Sequence, residues 1–409
     1  MSNLYFSRNL FFVIILSLFL SACGGGNTTD NKLSGISTTG VTGSDTPVNN
    51  VSISLSGSVG DGPVAGATVV IKNASGKTLK SLLSDKYAKY STRLEVNEND
   101  FPLVIEASGG IDLVTSAAPD FILYSIVTDP SEKIANLNPF TTMIVKTAEF
   151  MNGGLNLANI KTAKNHTLSQ LNFGLDSTLI PDPVTTPISQ SNIAVIVKSS
   201  ETFGEMIRRT RDTLNNGETA DNVILDLAED IADGNLDGIT KNGTIPRAAT
   251  VARLTSAQVL LEALSNDLMV GGINAAKRMD ESIIETMPGI TPSINTGNVL
   301  ITGEMLSQAI AAIDTAISTD NSSRLTSIAK QLSGLQSGTA STNITPFESS
   351  RLDAVIITAN SSGTPATPAT PATPATPATP ATPATPATPA TPATPATPAT
   401  PATPATPAT

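Results

Sequence analysis

Side chains able to do chemistry are scarce in this chain. Its 409 residues include one cysteine, Cys23, one histidine, His166, and no tryptophan. The best-spaced set of oxygen ligands is Asp233-Gly-Asn235-Leu-Asp237-Gly238. Carboxylate, amide and carboxylate at alternate positions converge on one cation when a glycine follows to permit the bend. This matches the first half of a calcium-loop pattern. The second half departs from it. Position twelve is Thr244, where a bidentate glutamate belongs, and Pro246 interrupts an immediately following helix. Glu229 and Asp230 offer an extra carboxylate from the preceding turn. The competing reading, which we favour, is a helix stop in which Gly234 ends the helix and the Asp and Asn side chains bond within the turn. If calcium binds at Asp233, Asn235 and Asp237 instead, its role is structural; no other cofactor is expected.

The remaining polar groups point to surface roles. His166 has no matched Ser or Cys nucleophile motif and reads as a surface or capping residue. Asp221, Asp226, Glu229 and Asp230 form an acidic run. Paired carboxylates do acid–base work on sugars, but a solvated acidic face is the expectation here. Arg208, Arg209 and Arg211 beside Asp212 read as surface pairs. Neither a Gly-rich phosphate loop nor a Gly-x-Ser-x-Gly elbow occurs. The formal charge of −11, with no basic patch, argues against nucleic acid as a partner.

Cys23 stands in a more telling context. Arg8 precedes an apolar stretch from Leu10 to Leu20, and Leu20-Ser21-Ala22-Cys23 follows directly. As a helix, that stretch reaches roughly 16 Å. A bilayer core needs about 30 Å, so the stretch fits a signal-peptide core and not a membrane span. The arrangement resembles the lipobox of bacterial lipoprotein signal peptides. The resemblance implies removal of residues 1–22, diacylglycerol on Cys23 and acylation of the new amine. Several acyl chains anchor stably, at about 0.8 kcal/mol for each buried CH₂. Gly24 in place of an aspartate resembles the pattern of lipoproteins sent to the outer membrane. The thiol spent on lipid leaves none for an intrachain disulfide.

Residues 23–50 hold the cysteine and a Gly-, Ser-, Thr- and Asn-rich stretch too polar to bury a core, which reads as a flexible tether. Val51–Val59 then alternates apolar and small polar residues, the mark of a half-buried strand. Ala67–Lys72, Tyr90–Val96, Leu103–Ala107, Ile111–Thr115 and Phe121–Thr128 read as further strands. Six short strands at this spacing suggest a sandwich over residues 51–134. Gly57-Ser-Val-Gly-Asp61-Gly-Pro63-Val-Ala-Gly66-Ala-Thr-Val69, with Ser84-Asp85 and Tyr90 after it, resembles the carboxypeptidase regulatory-like domain. That resemblance implies a small immunoglobulin-like sandwich and says little about function. Ala88 stands where that family usually has a glycine.

From residue 135 the periodicity is helical. Asn138-Pro139 is a capped helix start, followed by candidates at Leu157–Leu171, Asn192–Leu214, Ala220–Ala232, Ala248–Asn266, Ile273–Glu285, Gly303–Ile317 and Ser323–Leu335. Residues 135–360 read as one helical domain. Residues 361–409 carry 15 Thr-Pro-Ala units and a closing Thr. Proline at every third position favours polyproline II and forbids helix, so this tail is expected to lack a packed fold.

The expected fold is therefore multi-domain α+β: an immunoglobulin-like sandwich, an all-α domain, a disordered tether and a disordered tail. The expected function is a non-enzymatic binding, adhesion or scaffolding module, lipid-anchored in the outer membrane and bound to an unknown protein or glycan. The alternatives are a periplasm-facing accessory subunit of an envelope complex and a carboxylate-dependent hydrolase of polysaccharide or peptidoglycan.

Overall fold

A computed structural model describes residues 50–264 and 266–290, with isolated helical positions at 310, 330, 333 and 334. The lipobox residues Leu20, Ser21, Ala22 and Cys23, the leader, nearly all of the tether and the repeat tail lie outside the described residues. So do the helices expected at 303–317 and 323–335, apart from those isolated positions.

The architecture is mixed α+β: among the described residues, small antiparallel sheets are followed by six helices, with two short hairpins set between the last three. β1 (Val51–Ser58) pairs with β5 (Lys89–Val96), setting Ile53 opposite Leu94. Both of these side chains are buried, whereas Ser52 and Ser54 are exposed, as the alternation requires. A second sheet has the order β4 (Thr78–Leu83), β3 (Thr68–Lys72), β6 (Leu103–Ser108), β8 (Leu123–Val127). Its register stacks Val69 on Ala107, Ile71 on Ile105 and Leu103 on Val127. A short pair joins β2 (Val64–Ala65) to β7 (Ile111–Asp112). Only Ile111 and Asp112 of the expected strand Ile111–Thr115 pair. Asp112 accepts from the backbone N–H groups of Val114 and Thr115, which turns the chain away.

β8 explains how sheet and helices join. Leu123 and Val127 enter the same core as β1, β3, β5 and β6. Ile126 points the other way, onto Ile144, Val145 and Ala148 of α1 (Pro139–Phe150) and Ile160 and Ala163 of α2 (Leu157–Gln170). A strand covered on both faces loses its alternation. The edge of β8 is also satisfied by α1: the Tyr124 N–H donates to Thr142 Oγ1 at 2.9 Å, and Thr141 Oγ1 donates to the Tyr124 carbonyl at 2.6 Å. Asn138 caps α1 in a capping box with Thr141, and Pro139 takes the first helical position.

α3 (Ile193–Leu214) is the central helix, about 33 Å long by its rise per residue. It packs against α4 (Ala220–Ile231), α5 (Pro246–Leu264) and α6 (Ala275–Thr286). Tight hairpins separate the last three: β9 (Ile239–Thr240) with β10 (Gly243–Thr244), and β11 (Met269–Val270) with β12 (Ile273–Asn274). On α4 the core stripe is Val223, Ile224, Leu227, Ala228 and Ile231, while Leu225 lies on the exposed side. The hydrophobic core continues from Ile53 of β1 to Ile283 of α6. At its centre Phe203 of α3 meets Phe140 edge-on at 5.1 Å and Phe173 at 4.9 Å between ring centroids.

Truncating a fully buried phenylalanine in such a cluster removes both its transfer energy and its aromatic contacts. Phe203→Ala should therefore lower the unfolding free energy by about 3–5 kcal/mol in chemical denaturation. A loss below about 1 kcal/mol would contradict this placement.

Candidate functional site

The candidate site lies where the β part meets α3. The chain between β1 and β2 makes a tight turn over Val59–Pro63, closed by the Val64 N–H donating to the Val59 carbonyl at 2.9 Å. Gly60 N–H donates to the Leu137 carbonyl and Leu137 N–H to that of Ser58, both at 2.8 Å. The segment before α1 thus runs parallel to the end of β1. Tyr90 locks it from β5, its hydroxyl donating to the Ala135 carbonyl at 2.6 Å. Burial pushes the Tyr90 hydroxyl pKa upward, so it stays a donor. Gly57 makes the approach sterically feasible, because a Cβ there would collide with that same carbonyl.

The turn presents Asp61 to α3. Arg208 Nη1 reaches Asp61 Oδ2 at 2.5 Å, Nη2 reaches Glu201 Oε1 at 2.8 Å, and Nε reaches Glu205 Oε2 at 2.9 Å. Arg209 extends the network to Glu205 Oε1 at 2.8 Å and holds both oxygens of Glu262 on α5. Gly204 lies beside the Asp61 carboxylate, and a Cβ at Gly204 would strike it. Asp61 and Glu201 are 1% and 0% exposed. Burial pushes the Asp61 carboxyl up to about 7, with Arg208 opposing the shift and Asp112 and Glu205 adding to it. Burial, then the neighbouring Asp61, also raises Glu201. Arg208 and Arg209 are therefore parts of a buried network and not the surface pairs expected from their spacing. Arg211 does stay near the surface, paired with Asp212 at 2.8 Å.

Beside the turn is a groove of about 560 Å³. Ser56, Ser58, Ser91 and Asn136 supply hydroxyl and amide groups to its wall, and Asp85 and Lys89 supply opposite charges. Leu83 stands at it 63% exposed, an apolar side chain left in water. Asn136 is held rigidly, accepting from the Ser58 N–H and donating to the Thr186 carbonyl. Such a mixed, pre-formed concave wall suits a ligand contacted by hydroxyls and methyl groups together.

No protein-family model, no curated protein and no solved structure matches this chain. The functional reading therefore rests on its own residues.

The loop after α4 has the bonds of a turn. Asp233 Oδ1 accepts from the Asn235 N–H at 2.9 Å, and Asp237 Oδ1 accepts from the Ile239 N–H at 2.9 Å. Gly234 and Gly238 adopt φ of +103° and +82°, which suits glycine. Among the described residues no group of three His, Cys, Asp or Glu side chains is placed to hold a metal ion. His166 donates through Nδ1 to the Ile231 carbonyl at 3.2 Å and so caps the end of α4. The acidic run is split by the fold. Asp221 accepts from the Ile122 N–H, whereas Asp230 is fully buried and accepts from the Gly238 N–H with both oxygens. Its period on α4 places it on the core side with Leu227 and Ile231, a signal that the solvated-face reading overlooked.

Burial pushes the Asp230 carboxyl up to about 7 from 3.8, Asp237 adds to this, and Gly238 and Arg253 oppose it. The folded protein keeps a proton that the unfolded chain releases near pH 3.8. Stability therefore falls as pH rises from about 4 to 7 and levels off above, by up to about 1.4 kcal/mol per pH unit. Asp230→Asn should flatten the curve of unfolding free energy against pH by that amount, measured by denaturant titration. Equal slopes for the two proteins would contradict it.

Proposed function

We propose that this chain is a lipoprotein anchored in the bacterial outer membrane, working as a binding, adhesion or scaffolding module and not as an enzyme. The observation that carries the anchor is the run Leu20-Ser21-Ala22-Cys23 behind an apolar stretch too short to span a bilayer. In this reading lipid on Cys23 holds the chain to the membrane, and the polar segment to residue 50 spaces the folded part from it.

We read the β part as an immunoglobulin-like sandwich of the carboxypeptidase regulatory-like kind. One observation favours that finer reading: Ala88, which replaces the family's glycine, adopts φ of +56°, a left-handed conformation that glycine favours. The groove along β1 and β5 is the proposed face for a protein or glycan ligand. Binding is favoured over hydrolysis because Asp85 is the one carboxylate among the groove-lining residues, whereas carboxylate-dependent cleavage uses a pair, and Asp61 and Glu201 are buried and tied to Arg208. A periplasm-facing accessory subunit uses the same anchor and groove. Protease treatment of intact cells separates the two: digestion supports surface display, and protection until the outer membrane is broken favours the accessory subunit.

The anchor is tested by Cys23→Ser in the native host. The wild-type protein should sediment with membranes, and the variant should lose the lipid mass and leave that fraction. A variant that still sediments like the wild type would overturn the lipoprotein reading.

A further inference from the structure

A second pocket adjoins the groove and shares Ser58, Lys89 and Ile188 with it. One wall is a single stripe of α3: Ile193, Ile196, Val197 and Ser200, spaced i, i+3, i+4 and i+7. The Val59–Pro63 turn forms the facing wall, and the cavity measures about 40 Å³. That is room for a few waters. Lys89 and Tyr87 stand towards solvent, whereas Asp61 and Ser200 are the buried polar lining, 1% and 2% exposed. Asp61 Oδ1 and Ser200 Oγ have no hydrogen-bond partner among the described residues. Buried polar atoms left unpaired are costly, so two of them on one apolar pocket point to a missing partner.

The surroundings define that partner's charge. Asp61 faces Arg208, Glu201 and Glu205 from α3 and Asp112 from β7. Carboxylates outnumber guanidinium groups around it, and Arg209 is committed to Glu205 and Glu262. We propose that this pocket binds a primary aliphatic ammonium group, its head on Asp61 and Ser200 and its methylenes along Ile193, Ile196 and Val197. A free short-chain amine and the lysine side chain of a partner share this chemistry. The inference deepens the binding reading above, and its failure would leave the membrane anchor untouched.

Taking up the cation displaces a proton from Asp61. Burial holds that proton to about pH 7, so affinity rises with pH up to that point and levels above it. The test is calorimetric titration of the full-length protein with n-butylammonium chloride at about pH 6 and about pH 8, on either side of that value. n-Butanol and sodium chloride at matched concentration are the controls. Saturable binding should be about tenfold weaker at the lower pH. Ser200→Ala should weaken it about 5–10-fold while leaving the melting curve unchanged, because the lost hydroxyl has no partner in the fold. Nα-acetyl-lysine methylamide binding equally well assigns the site to a lysine side chain, and butylammonium binding alone assigns it to a free amine. No saturable binding of butylammonium at either pH, or equal binding of butanol, would overturn the proposal.

Discussion

A carboxylate on a turn and a guanidinium on a helix, 147 residues apart, meet at 2.5 Å where almost no water reaches. The rest of the architecture is arranged around that contact between Asp61 and Arg208. Once Asp61 is ionised, above about pH 7, two buried charges have lost their hydration, and only good geometry with further hydrogen bonds recovers it. Arg208 achieves this by spending its guanidinium on three carboxylates, Asp61, Glu201 and Glu205. Removing one member of such a set strands the others, at about 3–5 kcal/mol. The pair therefore fixes how the β part sits on α3. Gly204 exists at this point of the helix because any side chain there would fill the space Asp61 occupies.

The same constraint shapes the surface offered to a ligand. With Asp61 fixed, the Val59–Pro63 turn forms one wall of a pocket and the end of β1 borders a wider groove. Tyr90 and Asn136 brace the groove from behind by bonding to the segment before α1 and to the residues after Pro183. The pocket sets the Val59–Pro63 turn against α3, and the groove runs along β1 and β5 with the segments at 134–136 and 187–188.

Much of the local structure was legible in the sequence. The alternation in Val51–Ser58 and the Asn138-Pro139 helix start each reflect a short-range rule. The strand Thr78–Leu83 was not legible, because it lies at a sheet edge with most positions exposed and Leu82 and Leu83 break the alternation. The charge network was hidden for a different reason. Arg208 and Glu205 at i, i+3 spacing look the same whether a helix face is wet or dry. What decides is Asp61, and no local pattern announces a partner that far away in sequence. Asp230 is hidden in the same way: its charge points to a solvated face, while its position three residues after Leu227 puts it on the buried stripe of α4.

The central claim is that Asp61 and Arg208 are energetically coupled across the junction between the β part and α3. A double-mutant cycle with Asp61→Asn and Arg208→Gln, read by denaturant unfolding at about pH 8 where Asp61 is ionised, measures this directly. The account predicts a coupling energy of about 2–3 kcal/mol, well beyond the additivity of independent sites. Effects that add to within about 0.5 kcal/mol would contradict it.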